Sequence, residues 1–240
     1  MAHELPLTSP SVTLGAIVTA RPRAAALFER RGFDYCCGGD QTLTDACHER
    51  GLEPAEIERE IEDLEAEAGG AHHDVAGLTI TQLSQHIVES HHDPARAKMK
   101  RIDELLGKVT RAHGEQDPGT YRLQRSFEAL RGELTEHMSM EEESLFPACE
   151  TIQRGSGQAS DSLMQELLDT HRKTGASLKE LREIGNDYDP DSAHCATHRV
   201  LLSELAEFEL DLHQHIHEEN NILFPRIRDF IDQPAIVEPE

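Results

Sequence analysis

From residue 79 onward, apolar residues recur at steps of three and four positions, which predicts long amphipathic helices. We expect four of them, over residues 79–112, 119–153, 160–185 and 192–229. The breaks between them, HGEQDPG, RGSGQAS and GNDYDPDS, are short and rich in Gly, Pro, Asp and Ser. Because short connections join helices that run antiparallel, the pattern predicts an antiparallel four-helix bundle.

The N-terminal part differs, because Pro and Gly interrupt it at short intervals. Small helices are expected near residues 12–20, 23–31, 43–50 and 54–67. The segment AGGAHHDVAG that follows holds a helix poorly, since it contains paired glycines and small residues. We therefore predict an all-α protein with these parts: a small helical N-terminal domain at 1–67, a linker at 68–78, the bundle at 79–231 and a tail at 232–240.

The two halves of the predicted bundle repeat each other at shifts of 78 and 79 residues. Each half supplies one His and, 44 or 45 residues later, a His-x-x-x-Glu that is followed in the same frame by Leu-Phe-Pro. The matched residues are His92 with His171, His137 with His215, and Glu141 with Glu219. A single His-x-x-x-Glu is common by chance, but a second copy with its own upstream His is not.

These six residues have the chemistry of a metal centre. A His and a Glu four positions apart lie on one helix face, with Cβ atoms about 5–6 Å apart, and here that face is the apolar one. A charge on a buried face must be paired or must bind a metal. Four imidazoles and two carboxylates suit two ions bridged by the carboxylates, and this mixed N/O set favours Fe, with Mn or Zn as alternatives.

A simpler interpretation exists for any one of these residues, namely a buried side chain satisfied by hydrogen bonds. Six of them in a repeated frame argue for the metal centre instead. His92 continues the apolar stripe of its helix, so we select it as the ligand and assign the neighbouring His91 to an outer contact. His198 lies about 25 Å along the helix from His215 and His194 lies beyond it, so we expect both on the surface.

Two further expectations concern residues next to the predicted ligands. His213 and His217 flank the apolar stripe and should be solvated. Asn220 and Asn221 follow Glu219 directly, so they could hold its carboxylate.

Composition excludes several classes of function. The net charge of -23 argues against a nucleic-acid or anionic-membrane partner, because both need a basic face. No apolar run approaches the ~20 residues of a membrane span, and the N-terminal residues have no secretory pattern. Five cysteines do not form a disulfide framework in a chain of 240 residues, so we expect a reducing cytoplasm. The 15 histidines again favour metal binding.

In its duplicated frame of one His and a later His-x-x-x-Glu, the segment 79–231 resembles a hemerythrin-like domain. Oxygen-carrying hemerythrins have a further His on the third helix, four positions after the first, where this chain has Gly175. The remaining set is similar to the di-iron site of the iron–sulfur cluster repair family (RIC-type proteins). The resemblance implies two non-haem irons, with or without an oxo bridge, and an open, reactive metal position.

The N-terminal motif Phe-Asp-Tyr-Cys-Cys-Gly-Gly at residues 33–39 resembles the small domain of the same family. The resemblance implies repair of iron–sulfur clusters after nitrosative or oxidative damage, by iron donation or by reduction of nitric oxide. The implied partners are damaged iron–sulfur proteins and a small ligand, nitric oxide or dioxygen, with the chain a monomer or a homodimer. The alternative is a hemerythrin-like carrier or sensor of dioxygen or nitric oxide that repairs nothing.

Cys36 and Cys37 are adjacent and precede two glycines. We expect a mobile, exposed thiol pair suited to redox or metal-transfer chemistry, and with the family motif around it we assign both to catalysis. The alternative is one buried Cys with a neighbour that arose by chance.

Overall fold

Four helical rods form the antiparallel bundle that the hydrophobic pattern predicts. In this computed structural model, which describes residues 7, 9, 11–66, 75–155 and 159–232, α6 packs against α7 and α10, and α9 packs against the same two. The rods are, in chain order, α5 (Ile80–Ile87) with α6 (Asp93–His113), α7 (Gly119–Met140) with α8 (Phe146–Gln153), α9 (Asp161–Ile184), and α10 (Ala196–Glu218) with α11 (Phe224–Asp232). Within the described ranges the structure contains helices and no strand, which confirms the all-α class.

Three of the rods contain a π-helical turn that the hydrophobic pattern did not predict. These turns span Val88–His92, Glu141–Leu145 and Glu219–Leu223. Each is followed by a proline within two residues, namely Pro94, Pro147 and Pro225. A proline has no N–H to donate, and its ring clashes with the carbonyl four residues earlier, so a wider turn lets the rod continue past it. The third rod contains no proline and no π-turn.

The fourth rod begins at Ala196 rather than at residue 192. Residues Asn186–Tyr188 and Pro190–Ser192 form two separate 3-10 turns, and Cys195 caps α10 by accepting the backbone N–H of His198 at its sulfur. Extended backbone at Ala193 and Cys195 separates these turns from α10, so the long helix does not include this stretch.

The bundle has two apolar layers. One lies towards the α6–α7 loop and includes Met99, Phe127 and Phe208. The other lies towards the opposite end and includes Leu83, Phe146 and other residues of α5, α8 and α11. The predicted ligands lie between the two layers in the sequence of every rod.

The N-terminal helices match the predicted positions: α1 (Leu14–Ala20), α2 (Ala24–Arg31), α3 (Leu43–Arg50) and α4 (Pro54–Ala66). They enclose an apolar core of their own to which the bundle contributes Ile216. The approach is close, because a Cβ atom on Gly15 or Gly39 would lie 2.3 or 2.2 Å from Oδ1 of Asn221. Residues 68–74 of the predicted linker at 68–78, residue 67 before it, and residues 233–240 of the predicted tail at 232–240 lie outside the described residues. No helix in the described ranges is long and apolar enough to cross a membrane.

Candidate metal centre

Six buried side chains meet between the two apolar layers of the bundle. They form two groups, and within each group the potential ligand atoms lie within 4.8 Å of one another. The His92 half-site contains His92 and His215, the His171 half-site contains His137 and His171, and both share Glu141 and Glu219. The structure therefore brings together all six residues selected from the sequence.

In the His92 half-site, the two imidazoles face each other through their Nε2 atoms at 3.1 Å. Nε2 of His92 lies 3.4 Å from Oε2 of Glu141. Nε2 of His215 lies 3.2 Å from Oε1 of Glu219. Two nitrogens and one oxygen from each carboxylate thus surround one point.

The His171 half-site repeats this arrangement with the other carboxylate oxygens. The Nε2 atoms of His137 and His171 are 2.9 Å apart. Oε1 of Glu141 lies 3.2 Å from Nε2 of His137, and Oε2 of Glu219 lies 3.1 Å from Nε2 of His171. Each carboxylate therefore offers one oxygen to each half-site, which is the geometry of a bridging ligand.

The donor set fits two cations. Both oxygens of Glu141 and both of Glu219 are buried and have no hydrogen-bond partner among the described residues. Uncompensated buried carboxylates are costly, and two metal ions would compensate all four oxygens at once. Imidazole nitrogen mixed with carboxylate oxygen suits Fe, Mn or Zn.

The electrostatics of the centre keep the carboxylates ionised. Burial would raise the pKa of Glu141 and of Glu219, but the facing histidines outweigh it and hold the pKa of Glu141 below, and that of Glu219 well below, the usual range. Burial lowers the pKa of the His215 imidazole, whereas the neighbouring carboxylates outweigh burial and raise the pKa of His92 and of His137. Ionised carboxylates are the form that binds metal, and a bound metal ion would displace protons from the imidazoles that face it.

The outer nitrogens of the two half-sites have different partners. Nδ1 of His92 donates to Oε1 of Glu142 at 2.6 Å, and Arg96 donates to the same oxygen at 2.7 Å. Burial would raise the pKa of Glu142, but the bonds from His92 and Arg96 hold it below its ordinary value. Glu142 is therefore ionised, and its carboxylate orients the ring of His92.

His171 is held by an amide instead. Its Nδ1 donates to Oδ1 of Asn220 at 2.7 Å, while Nδ2 of Asn220 donates to the carbonyl of Cys36 at 3.1 Å. Asn221 donates to the same carbonyl at 3.2 Å. The expectation that the two asparagines hold Glu219 is wrong, because its carboxylate points inward among the histidines while they reach an imidazole and the N-terminal loop.

His91 lies outside both half-sites, while His92 lies inside. The ring of His91 stacks on that of His215, with centroids 5.3 Å apart and planes 5° apart. Its Nε2 lies 3.1 Å from Oε2 of Glu218.

Three histidines expected at the surface are more enclosed than predicted. His217 is 2% exposed and burial lowers its pKa to about 4, while Nδ1 of His213 donates to Glu29 at 2.6 Å. The N-terminal helices cover this face of α10, which no local pattern indicates. His198 is also buried, at 7%, whereas His194 is partly exposed and pairs with Asp117 at 2.8 Å.

The thiol pair is not the mobile, exposed loop that the glycines suggested. Cys36 is only 6% exposed, Cys37 is partly buried, and both thiols are free. Hydrogen bonding to Cys37, together with burial, raises the pKa of Cys36 well above its usual value. The loop is fixed because the bundle asparagines bind its carbonyls.

Cys37 lies directly beside the His171 half-site. Its sulfur is 3.6 Å from the carbonyl oxygen of His171 and would lie 3.7 Å from a Cβ atom on Gly175. The thiol therefore lies next to the space that a side chain at position 175 would enter. On the other side, the pair borders a cleft of about 600 Å³ that Arg172 and Lys179 also line.

Comparison with known proteins agrees with this architecture. Residues 11–65 match ScdA_N, a domain of unknown function, and residues 83–227 match the hemerythrin HHE cation binding domain. The iron-sulfur cluster repair protein ScdA of Staphylococcus haemolyticus is 32% identical over 219 residues, which covers 91% of this chain and 98% of that protein. The iron-sulfur cluster repair protein YtfE of Yersinia pestis is 35% identical over 214 residues, covering 89% and 95%.

This chain belongs to the iron–sulfur cluster repair family. Its bundle is accordingly a hemerythrin-like cation-binding domain, and the family resemblance read from the sequence is confirmed along nearly the whole chain.

Proposed function

We propose that this protein repairs iron–sulfur clusters damaged by nitrosative or oxidative stress, and that it does so with a non-haem di-iron centre. The observation that carries the proposal is the pair of carboxylates whose four unpartnered oxygens are divided evenly between two pairs of histidines. The names of the two relatives, which match about nine-tenths of the chain, favour repair over a carrier or sensor.

Each residue of the centre has a distinct role in this proposal. His92 and His215 would hold one iron, His137 and His171 the other, and Glu141 and Glu219 would bridge them. Two irons would supply one-electron redox chemistry and an exchangeable source of iron. Gly175 contributes no ligand, so the side of the centre next to α9 stays open to a small molecule such as nitric oxide or dioxygen.

The second part of the proposal concerns the thiol pair. Cys36 and Cys37 lie between the cleft and the His171 half-site, so they are placed to pass iron or electrons between the centre and a damaged client. Thiolates are both metal ligands and redox groups, and an approaching metal ion would stabilise the thiolate form that the raised pKa of Cys36 otherwise disfavours. Free cysteines also fit the reducing cytoplasm, in which we place the protein.

A repair assay with defined metal content tests the proposal. An iron–sulfur hydratase is inactivated with nitric oxide and then incubated with iron-loaded protein, iron-free protein, the variant His171→Ala, or the control His48→Ala, which changes an exposed residue far from the centre in sequence. We expect activity to return only with iron-loaded native protein and the control. Equal recovery with the iron-free protein, or zinc in place of iron after growth in iron-replete cells, would contradict the proposal.

The same assay isolates the thiol pair. The double variant Cys36→Ser/Cys37→Ser should keep its iron and fail to restore the hydratase. Cys195→Ser is the matched control, because this cysteine is also partly exposed but lies at the start of α10. Recovery at the native rate by the double variant would remove the cysteines from the mechanism.

A further inference from the structure

A second cluster of metal-binding residues lies beside the His92 half-site, on its solvent side. His86 and His91 are five positions apart, a spacing that would place them on different faces of an ordinary α-helix. The π-turn Val88–His92 changes this, because a π-helix brings residues five apart onto one face. The two rings are 5.8 Å apart between centroids and perpendicular, at 88°.

The fourth rod supplies a carboxylate to this cluster. Oε2 of Glu218 lies 3.2 Å from Nε2 of His86 and 3.1 Å from Nε2 of His91. All three donor atoms lie within 4.8 Å of one another. Two imidazoles and one carboxylate, delivered by two different rods, therefore converge on one point.

Two of the converging atoms make no well-aligned hydrogen bond. Nε2 of His91 and Oε2 of Glu218 are both buried, yet neither has a hydrogen-bond partner among the described residues despite their short separation. In tetrahedral coordination with bonds of about 2.0–2.1 Å, neighbouring ligand atoms are about 3.3 Å apart. The two nitrogen–oxygen separations, 3.1 and 3.2 Å, are close to that edge length, so the positions of the three atoms fit a shared metal ion as well as an ion pair.

The surroundings of the cluster also favour metal binding. Nδ1 of His86 pairs with the Ser90 hydroxyl at 3.2 Å, which leaves its Nε2 free to bind. Gln214 donates to the other oxygen of Glu218 at 3.5 Å. Outer contacts of this kind orient ligands in metal sites.

We propose that His86, His91 and Glu218 form a third metal site, which binds a single divalent first-row cation of the Fe²⁺ or Zn²⁺ class. Two histidines and one carboxylate are the protein ligands of mononuclear Zn²⁺ and Fe²⁺ sites that keep a coordination position open. The side chain of His86 is 20% exposed while that of Glu218 is only 4% exposed, so solvent reaches the cluster at His86. Because the ring of His91 stacks on that of His215, this site lies directly beside the dinuclear centre.

Equilibrium dialysis of the iron-loaded protein against Zn²⁺ tests the third site, with zinc and iron measured in each sample. We expect native protein to take up one zinc per chain without losing iron. Glu218→Gln and His86→Ala should each weaken zinc binding at least about 10-fold while the iron content stays native. His48→Ala is the matched control and should bind zinc as the native protein does.

Co²⁺ gives an independent spectroscopic readout of the same site. Native iron-loaded protein should develop the visible absorption bands of a low-symmetry nitrogen- and oxygen-ligated cobalt ion, and His86→Ala should not. Absence of a third ion in native protein, or unchanged binding in both variants, would overturn the inference. Loss of iron from Glu218→Gln would also overturn it, by showing that Glu218 supports the dinuclear centre instead. Because iron is counted in every sample, failure of the third site is distinct from failure of the di-iron proposal.

Discussion

The two half-sites of the candidate metal centre are built from the same repeated pattern of one His and a later His-x-x-x-Glu, yet their surroundings differ. Inside, they match closely, and even the ring above each upstream histidine is equivalent: Phe146 stacks on His92 at 5.6 Å and Phe224 on His171 at 5.8 Å. Outside, His92 is held by the carboxylate of Glu142, whereas His171 is held by the amide of Asn220. The repeat therefore determines the inner ligands but not the groups that orient them.

This difference has a chemical consequence. A carboxylate that accepts the outer N–H of an imidazole raises the basicity of its other nitrogen, and a neutral amide does so less. His92 should thus be the stronger donor of the two upstream histidines. The weaker half-site is the one next to Gly175 and the Cys37 thiol, where we propose that small ligands and iron enter or leave.

The largest effect is expected from removing a carboxylate that the two half-sites share. Glu219→Ala should lower the metal content from about two ions per chain to nearly none, because Glu219 supplies an oxygen to each half-site. His92→Ala should chiefly empty one half-site, since its Nε2 faces only that group. Metal analysis after desalting measures both, with circular dichroism to confirm that the helices remain. Retention of one tightly bound ion by Glu219→Ala would refute the bridging role.

A milder change sharpens the comparison by weakening one half-site at a time. Loss of an outer partner typically lowers metal affinity about 10–100-fold. We expect Glu142→Ala to lie at the upper end of that range and Asn220→Ala at the lower end, because only the first removes a charged partner. Competition with a chelator measures the affinities. The matched control is Glu143→Ala, which alters the exposed neighbouring residue; equal losses in all three variants would abolish the proposed asymmetry.

The inner residues of the centre could be predicted from the sequence, whereas the outer groups that orient them could not. The convergence of the six inner residues was predictable because a buried His-x-x-x-Glu follows helical periodicity, which is a local property. The π-turns were missed, although Pro147 and Pro225, each six residues after a shared Glu, were a visible signal. Such a turn lets a helix pass a proline without ending.

The outer contacts could not be predicted in the same way. The partners of Asn220 and the burial of His217 depend on how the N-terminal helices pack against α10. That packing is set by contacts between segments more than 180 residues apart, such as Asn220 with Cys36 at a separation of 184, and it leaves no periodic pattern in either segment. Flanking glycines suggested mobility for the cysteine loop, whereas at Gly39 the structure uses the missing side chain for close approach.

The smallest predicted effect is on thermal stability, and it comes from the contact between the N-terminal loop and the bundle. In Gly39→Ala the new Cβ would lie 2.2 Å from Oδ1 of Asn221 and 2.6 Å from the carbonyl oxygen of Tyr35, so the loop must move. Overpacking of this kind costs about 1–3 kcal/mol, and each kcal/mol lowers Tm by roughly 2–4 °C in a chain of this size.

Gly132→Ala is the matched control for this loop variant. Gly132 lies on an exposed face of α7 with nothing near its Cβ position, so alanine should stabilise the helix by about 0.5–1 kcal/mol. Calorimetric melting of both variants measures the difference, and metal analysis should find native iron content in each, because no inner ligand moves. If Gly39→Ala instead melts with or above the control, the loop tolerates a side chain there and its contact with Asn221 does not hold it against the bundle.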